Sequence, residues 1–357
     1  MRYVPVRYLK EKQVLATDLF YDNRRVVIRR GIALTPNMIK RIRQLGFQGA
    51  YIEDALSEGL EVAPPVSDEL RSSTQKAIQS LFVTLGHNHQ ASATSALKGL
   101  RQLVDETIDQ IMKNRHVMAN MIDLRSFDDY TYGHSVNVSL LSSIIGASME
   151  MNRSQLVDLA LGAMLHDIGK VFIDKQLLNK REKLEPCEFE EIKQHSRYGY
   201  DYLLTNDTIP ENSKIVALTH HEKYDGSGYP AGLARLDIPL FGRIVCIADV
   251  YDALTSDRPY RKALLPSDAL EYIMSGYGNM FDADVIDSFL RRIAIYPVGT
   301  CVRLSTGETA IVVENFPSMG RQPKVRVIED GKPTDREIDL AHDRNALCVT
   351  IVETVNL

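Results

Sequence analysis

The chain has 357 residues, enough for two or three domains and a sizeable buried core. Hydrophobic residues make up 44% and charged residues 25%, ordinary values for a globular protein, and the net charge of −5 argues against a general nucleic-acid-binding protein. A small anionic ligand stays open, because a local cluster of metal ions outweighs the global charge. The four cysteines (Cys187, Cys246, Cys301 and Cys348) form no C-x-x-C pair, so neither a zinc ribbon nor a disulfide framework is indicated. The start, MRYVPVRYLKEKQ, lacks the apolar core of a signal peptide, and no stretch reaches the ~18–20 apolar residues of a membrane span. A cytoplasmic protein with reduced thiols is expected.

In chain order, residues 1–55 read as a small α+β domain. RRVVIRRGIALT is a β-branched run broken by Gly31, PNMIKRIRQLGF a short helix with Pro36 in its first turn, and GAYIED a returning strand. Residues 56–66 form a linker marked by Pro64 and Pro65. Residues 67–125 are connecting helices: Ile78, Leu81, Phe82 and Leu85 make one stripe, and Leu97, Leu100, Val104, Ile108 and Ile111 another. Such stripes are core contacts in most proteins, although paired helices also suit a homodimer. Residues 126–296 carry the densest helix signals. Beyond Pro297, residues 297–357 alternate β-branched runs with Gly-containing turns, as in a small barrel.

Most histidines fall inside the helical stretch: His134, His166, His195, His220 and His221. AMLHDIGK, residues 163–170, places His166 and Asp167 in an apolar segment, where a buried charge needs a partner or a metal. Lys170 follows at i+4 from His166, on one helix face, where an ammonium can hold a phosphate oxygen. HHEKYDGSGYP, residues 220–230, joins two histidines to a glycine-rich turn. IADVYDALTSDRPYR, residues 247–261, sinks Asp249 and Asp252 into an apolar helix. It also spaces Arg258 and Arg261 to present two guanidiniums to a phosphate or a guanine edge. Read singly, His134 or His195 is more simply a satisfied core histidine, and Cys246 a buried structural thiol.

These motifs in this order resemble the HD-GYP family of cyclic-dinucleotide phosphodiesterases, a branch of the all-helical HD phosphohydrolases; the likeness covers roughly residues 126–290. It implies a mainly α fold with an HD-type helical bundle at its core, flanked by the N-terminal α+β domain and the barrel-like C-terminal unit. Carried over by position, His134, His166, Asp167 and Asp249 would bind one metal. Asp167 would bridge to a second held by His195, His220 and His221. Imidazole and carboxylate donors without thiolate suit iron or manganese.

The implied reaction is hydrolysis of cyclic di-GMP to linear pGpG by a metal-bridging hydroxide, with Asp167 and Lys170 catalytic and Lys170, Arg258, Arg261 and Tyr229 contacting substrate. Family members with a third metal carry a glutamate where Tyr130 stands here, so two metals and a linear product are expected. Asp252, Glu222 and Asp225 are read as supports for the ligands or caps of the loop. The family also implicates the loop around Tyr229 and Pro230 in contacts with diguanylate cyclases. Rival readings are another cyclic dinucleotide, such as cyclic GMP-AMP, and a signalling scaffold without turnover.

Overall fold

The computed structural model describes residues 1–21, 25–45, 47, 49–60, 65–86, 90–114, 130–180, 182–256, 263–264, 266–355 and 357. They form two compact units, one built from the described residues of 1–64 and 291–357, the other from those of 65–114 and 130–290.

The first unit opens with β1 (Arg2–Pro5), β2 (Val14–Leu15), β3 (Leu19–Tyr21), β4 (Arg25–Ile28), α1 (Pro36–Gln44) and β5 (Gly49–Glu53). Strand β5 is the centre of an antiparallel sheet ordered β1-β5-β2, while β3 and β4 pair separately. Helix α1 starts where Thr35 accepts the Met38 N–H at 3.3 Å and Pro36 occupies the first turn. Ile42 of α1 buries against Leu15, Phe47 and Ile52.

The second unit is helical: α2 (Asp68–Gly86), α3 (Gln90–Lys113), α4 (Tyr130–Ser148), α5 (Arg153–Leu165), a 3-10 helix at Ile168–Phe172, α6 (Lys175–Leu178), α7 (Pro186–Lys193), α8 (His195–Leu204), α9 (Glu211–Thr219), α10 (Leu240–Thr255), α11 (Pro266–Ser275) and α12 (Ala283–Leu290). Helices α5 and α10 are apolar around most of their circumference, which fits burial rather than a surface position. Helix α5 packs against α4 and α9, and α10 against α4, α9 and α11. The apolar stripes of α2 and α3 are buried, with α2 packed on α3 and α4 and α3 on α5. Among the described residues, these stripes are buried in the chain's own core.

The chain returns to the first unit through β6 (Cys301–Leu304), β7 (Thr309–Glu314), β8 (Lys324–Glu329), β9 (Lys332–Asp339) and β10 (Ile351–Thr354), an antiparallel sheet in the order β10-β6-β7-β8-β9. The expected barrel is instead an open sheet: among the described residues its edge strands β10 and β9 do not pair with each other. Both ends of the chain meet in this unit. The Arg2 guanidinium bonds Asp54 at 2.7 Å and the Leu357 carbonyl at 3.0 Å, and Leu56 and Leu60 bury against Cys301, Ile311 and Ile328. About half of the chain is helical, and no described helix is long and apolar enough to cross a membrane.

Candidate metal centre

The seven residues singled out as ligands converge in the second unit. Helix α5 runs from a capping box at Asn152 and Gln155 to His166, its C-cap. The backbone then leaves α-geometry at Asp167 and continues as the 3-10 helix. Lys170 is therefore not an α-helical neighbour of His166, as the i+4 spacing suggests. It lies a 3-10 turn beyond Asp167, with Nζ 2.5 Å from Asp167 Oδ2 and a third of its side chain exposed.

Two glycines make the next contact. A Cβ on Gly169 would stand 1.9 Å from the His195 carbonyl oxygen and 2.5 Å from the Gly199 nitrogen. Only glycine lets the 3-10 helix and α8 approach backbone to backbone, and this approach sets His195 Nε2 3.4 Å from Asp167 Oδ1. His220 caps α9 and His221 follows it, with His220 Nε2 3.3 Å from His195 Nε2. Asp249 comes from the middle of α10. Its Oδ1 is 3.2 Å from His134 Nε2 and its Oδ2 3.8 Å from His221 Nδ1.

Three of the imidazoles are oriented by backbone carbonyls that accept from Nδ1: Ala163 for His166 at 2.7 Å, Ile192 for His195 at 2.6 Å, and Ala217 for His220 at 3.0 Å. Each Nε2 lone pair is thereby directed into the cluster. His134 is oriented instead by Asp252, whose Oδ2 is 2.7 Å from Nδ1, and Asn137 Nδ2 donates to the other Asp252 oxygen at 2.9 Å. Sequence reasoning misses Asn137, yet its place one turn after His134 on the same helix is a usable signal.

Donor atoms of Asp167, His195, His220 and His221 lie within 4.8 Å of one another, as do those of His134, His166 and Asp167. The two groups share Asp167. Within this buried ring His166 Nε2 and Asp167 Oδ1 have no hydrogen-bond partner. Several lone pairs turned on one point and left unpaired repel one another, and a cation removes both penalties. The donor set therefore fits metal ions.

Protonation agrees. Burial lowers His195, His220 and His221, His221 to about 3, so these rings are neutral and ready to ligate. Burial opposes ionisation of Asp167, but Lys170 and His166 hold it well below the carboxylate range, and His134 does the same for the buried Asp249. Burial also disfavours charge on His134, yet hydrogen bonds to Asp249 and Asp252 raise it to about 9. A cation held at His134 Nε2 would take the place of that proton.

The loop at 220–230 folds over the ring. Glu222 is buried and its carboxylate accepts the Ala231 N–H at 2.8 Å and the Leu233 N–H at 3.0 Å. Asp225 accepts from Ser227 N–H and hydroxyl. Both acids thus shape the loop and neither is a ligand. Tyr229 is half-buried with its ring 4.7 Å from that of His221, and Lys193 Nζ stands 5.4 Å from the centre of the Tyr229 ring. Cys246 is buried with Lys223 Nζ 3.3 Å from its sulfur, outside the ring of donors. Arg258 and Arg261 lie outside the described residues, as does the Tyr130 side chain.

Residues 116–285 match the HD domain family. A cyclic di-GMP phosphodiesterase of Pseudomonas aeruginosa is 36% identical over 225 residues, covering 63% of this chain and 54% of that protein. One of Thermotoga maritima is 34% identical over 212 residues, 57% of this chain and 58% of that protein. The chain thus spans about half the length of the curated relatives it matches. An HDG"Y"P protein of Bdellovibrio bacteriovorus has a similar fold, with a TM-score of 0.51 at 17% identity over 80% of this chain and 97% of that one. Residues 116–285 thus match an HD domain, and the ordered HD and GYP motifs on one ring of histidines and aspartates are similar to those of the HD-GYP family.

Proposed function

We propose that the protein is a metal-dependent phosphodiesterase that opens cyclic di-GMP to linear pGpG. The observation that carries this reading is the pair of donor groups sharing Asp167. A carboxylate common to two groups is the arrangement that holds two cations side by side. His134, His166, Asp167 and Asp249 would hold one metal, and Asp167, His195, His220 and His221 the other. Nitrogen and oxygen donors without thiolate favour iron or manganese. Two such cations, when bound, supply an acidified water and positive charge for the attacked phosphate.

The chain's own residues do the rest. Lys170 keeps Asp167 ionised and turns the remaining N–H groups of its ammonium to the exposed side of the ring, where a phosphate oxygen can accept them. Tyr229 stays a neutral phenol, because burial and the nearby Asp167 and Asp249 raise its pKa. Its ring covers His221 and limits water entry on that side. Arg258 and Arg261 remain proposed phosphate contacts on the sequence motif.

The test is anaerobic loading of the full chain with Mn²⁺ or Fe²⁺ and a timed assay on cyclic di-GMP, with cyclic GMP-AMP in parallel. Linear pGpG should accumulate, and His166→Ala should abolish it. A protein that binds two metals yet opens neither nucleotide would overturn the reading in favour of a scaffold.

A further inference from the structure

The hydrogen bonds behind His134 do not stop at Asp252. Asn137, which donates to Asp252, has its own carbonyl Oδ1 2.8 Å from Arg71 Nη2. Asn137 is buried, so its amide satisfies both ends inside the protein. Arg71 belongs to α2, outside the 116–285 segment that matches the HD family. Guanidinium, amide, carboxylate and imidazole thus form a line from α2 to a ligand of the metal centre.

We propose that Arg71 is a positioning residue of that centre, acting through Asn137 and Asp252 on His134. The inference rests on reading the cluster as a metal site. A primary amide is nearly symmetric in shape, and a flip would turn its oxygen against the Asp252 carboxylate. Arg71 forbids the flip, because a guanidinium only donates and therefore demands the amide oxygen. With the amide fixed, its N–H₂ pins Asp252 Oδ1 and leaves Oδ2 to hold the His134 Nδ1 proton. Nε2 is then the nitrogen presented to Asp249 and Asp167. Without Arg71 the amide can flip, and Asp252 Oδ1 then loses its donor while Oδ2 keeps His134 Nδ1 and Ser256 Oγ at 3.4 Å, so the soft carboxylate torsion and the ring it orients are held less firmly. The helix ahead of the HD domain thereby contributes to its metal centre.

The experiment measures Mn²⁺ binding to the full chain by calorimetry, without substrate. Arg71→Met, which keeps the aliphatic stem, should weaken binding to the site that contains His134 about 10–100-fold, the usual effect of losing a partner behind a metal ligand. Arg71→Lys should recover most of the loss, since an ammonium also only donates. Asn137→Ala should match Arg71→Met, and the double variant should lose no more than either alone, because both act through Asp252. The melting temperatures of the metal-stripped proteins separate this from general damage: weakened binding at unchanged melting supports the proposal. Unchanged Mn²⁺ affinity in Arg71→Met overturns it, and so do additive losses in the double variant. A wild-type chain that binds no Mn²⁺ overturns the metal reading itself and this inference with it, so the two failures are told apart.

Discussion

Asp167 is the one side chain common to both donor groups, whereas His221 belongs to one. Asp167→Ala should therefore remove both metals, and His221→Ala only one; elemental analysis of the purified variants measures this directly, and two metals per chain in Asp167→Ala would sink the assignment. Protonation gives a second prediction at the same scale. In metal-stripped protein His134 keeps its proton up to about 9, above the ordinary histidine value of about 6.5, so the folded state binds one proton more than the unfolded state between those pH values. Stability from this residue is full below about 6.5 and is lost as pH rises to about 9. His195, His220 and His221 act oppositely: burial lowers them, so below about 6.5 the unfolded chain takes up protons that the folded chain refuses. Stability of the metal-stripped protein should peak near pH 6.5, read as melting temperature against pH in the presence of a chelator. Added Mn²⁺ should shift the peak upward, since it displaces the His134 proton. A curve that climbs steadily through pH 9 would contradict the assigned partners of His134.

At the scale of elements, the centre depends on the close approach of the 3-10 helix Ile168–Phe172 to α8. Gly169→Ala inserts a carbon 1.9 Å from the His195 carbonyl oxygen, and backbone on both sides leaves no flexible side chain to yield. The two elements must part, at a cost near ~3 kcal/mol, the upper end for overpacked sites. Asp167 then separates from His195, and displacement of this size lowers turnover about 100-fold. Differential scanning of Gly169→Ala alongside its rate in the proposed cyclic di-GMP assay checks both; a variant with normal melting and turnover would show that the approach is not needed. The glycine is visible in the sequence motif, but its reason is not, because the partner backbone lies in a separate helix that begins at His195. The same limit hides Arg71, 66 residues from Asn137 in sequence. Lys170 is misplaced by its spacing because an apolar run does not mark where α-geometry gives way at Asp167. Strand β9 escapes for another reason: its sequence, KPTDREID, is polar because it is an edge strand, held by cross-strand pairs such as Lys324–Glu337 at 2.6 Å and Arg326–Glu337 at 2.9 Å. The histidine motifs are legible because their residues are short-range and chemically unusual in apolar helices. The open edges of the C-terminal sheet are not, because alternation specifies strands and leaves closure to long-range register.

Across the whole molecule, the proposed metals join segments that are far apart in sequence. The donors come from α4, the end of α5, the start of α8, the end of α9 and the middle of α10, all in one unit, and none lies in the other. Metal bound only by the folded state stabilises it by about 2.7 kcal/mol at a free concentration 100 times the dissociation constant. That free energy belongs to the helices whose ends the metals tie, because without cations the ring retains unpaired buried atoms at His166 and Asp167. Chelation should accordingly speed amide hydrogen exchange in α4, α5, α8, α9 and α10, and leave the strands β1, β5 and β6–β9 at their former rates. Exchange followed by mass spectrometry with and without a chelator resolves the two units by peptide. Equal acceleration in the sheets and the helices would mean that metal acts on global unfolding of the chain as one body. No acceleration in the helices would mean that the ring is held by its own hydrogen bonds, and the cation would then be an ornament of the fold rather than its clasp. The first result would still leave the site in place; the second would leave Asp167 and the imidazoles grouped around it facing one another with no cation to account for their convergence.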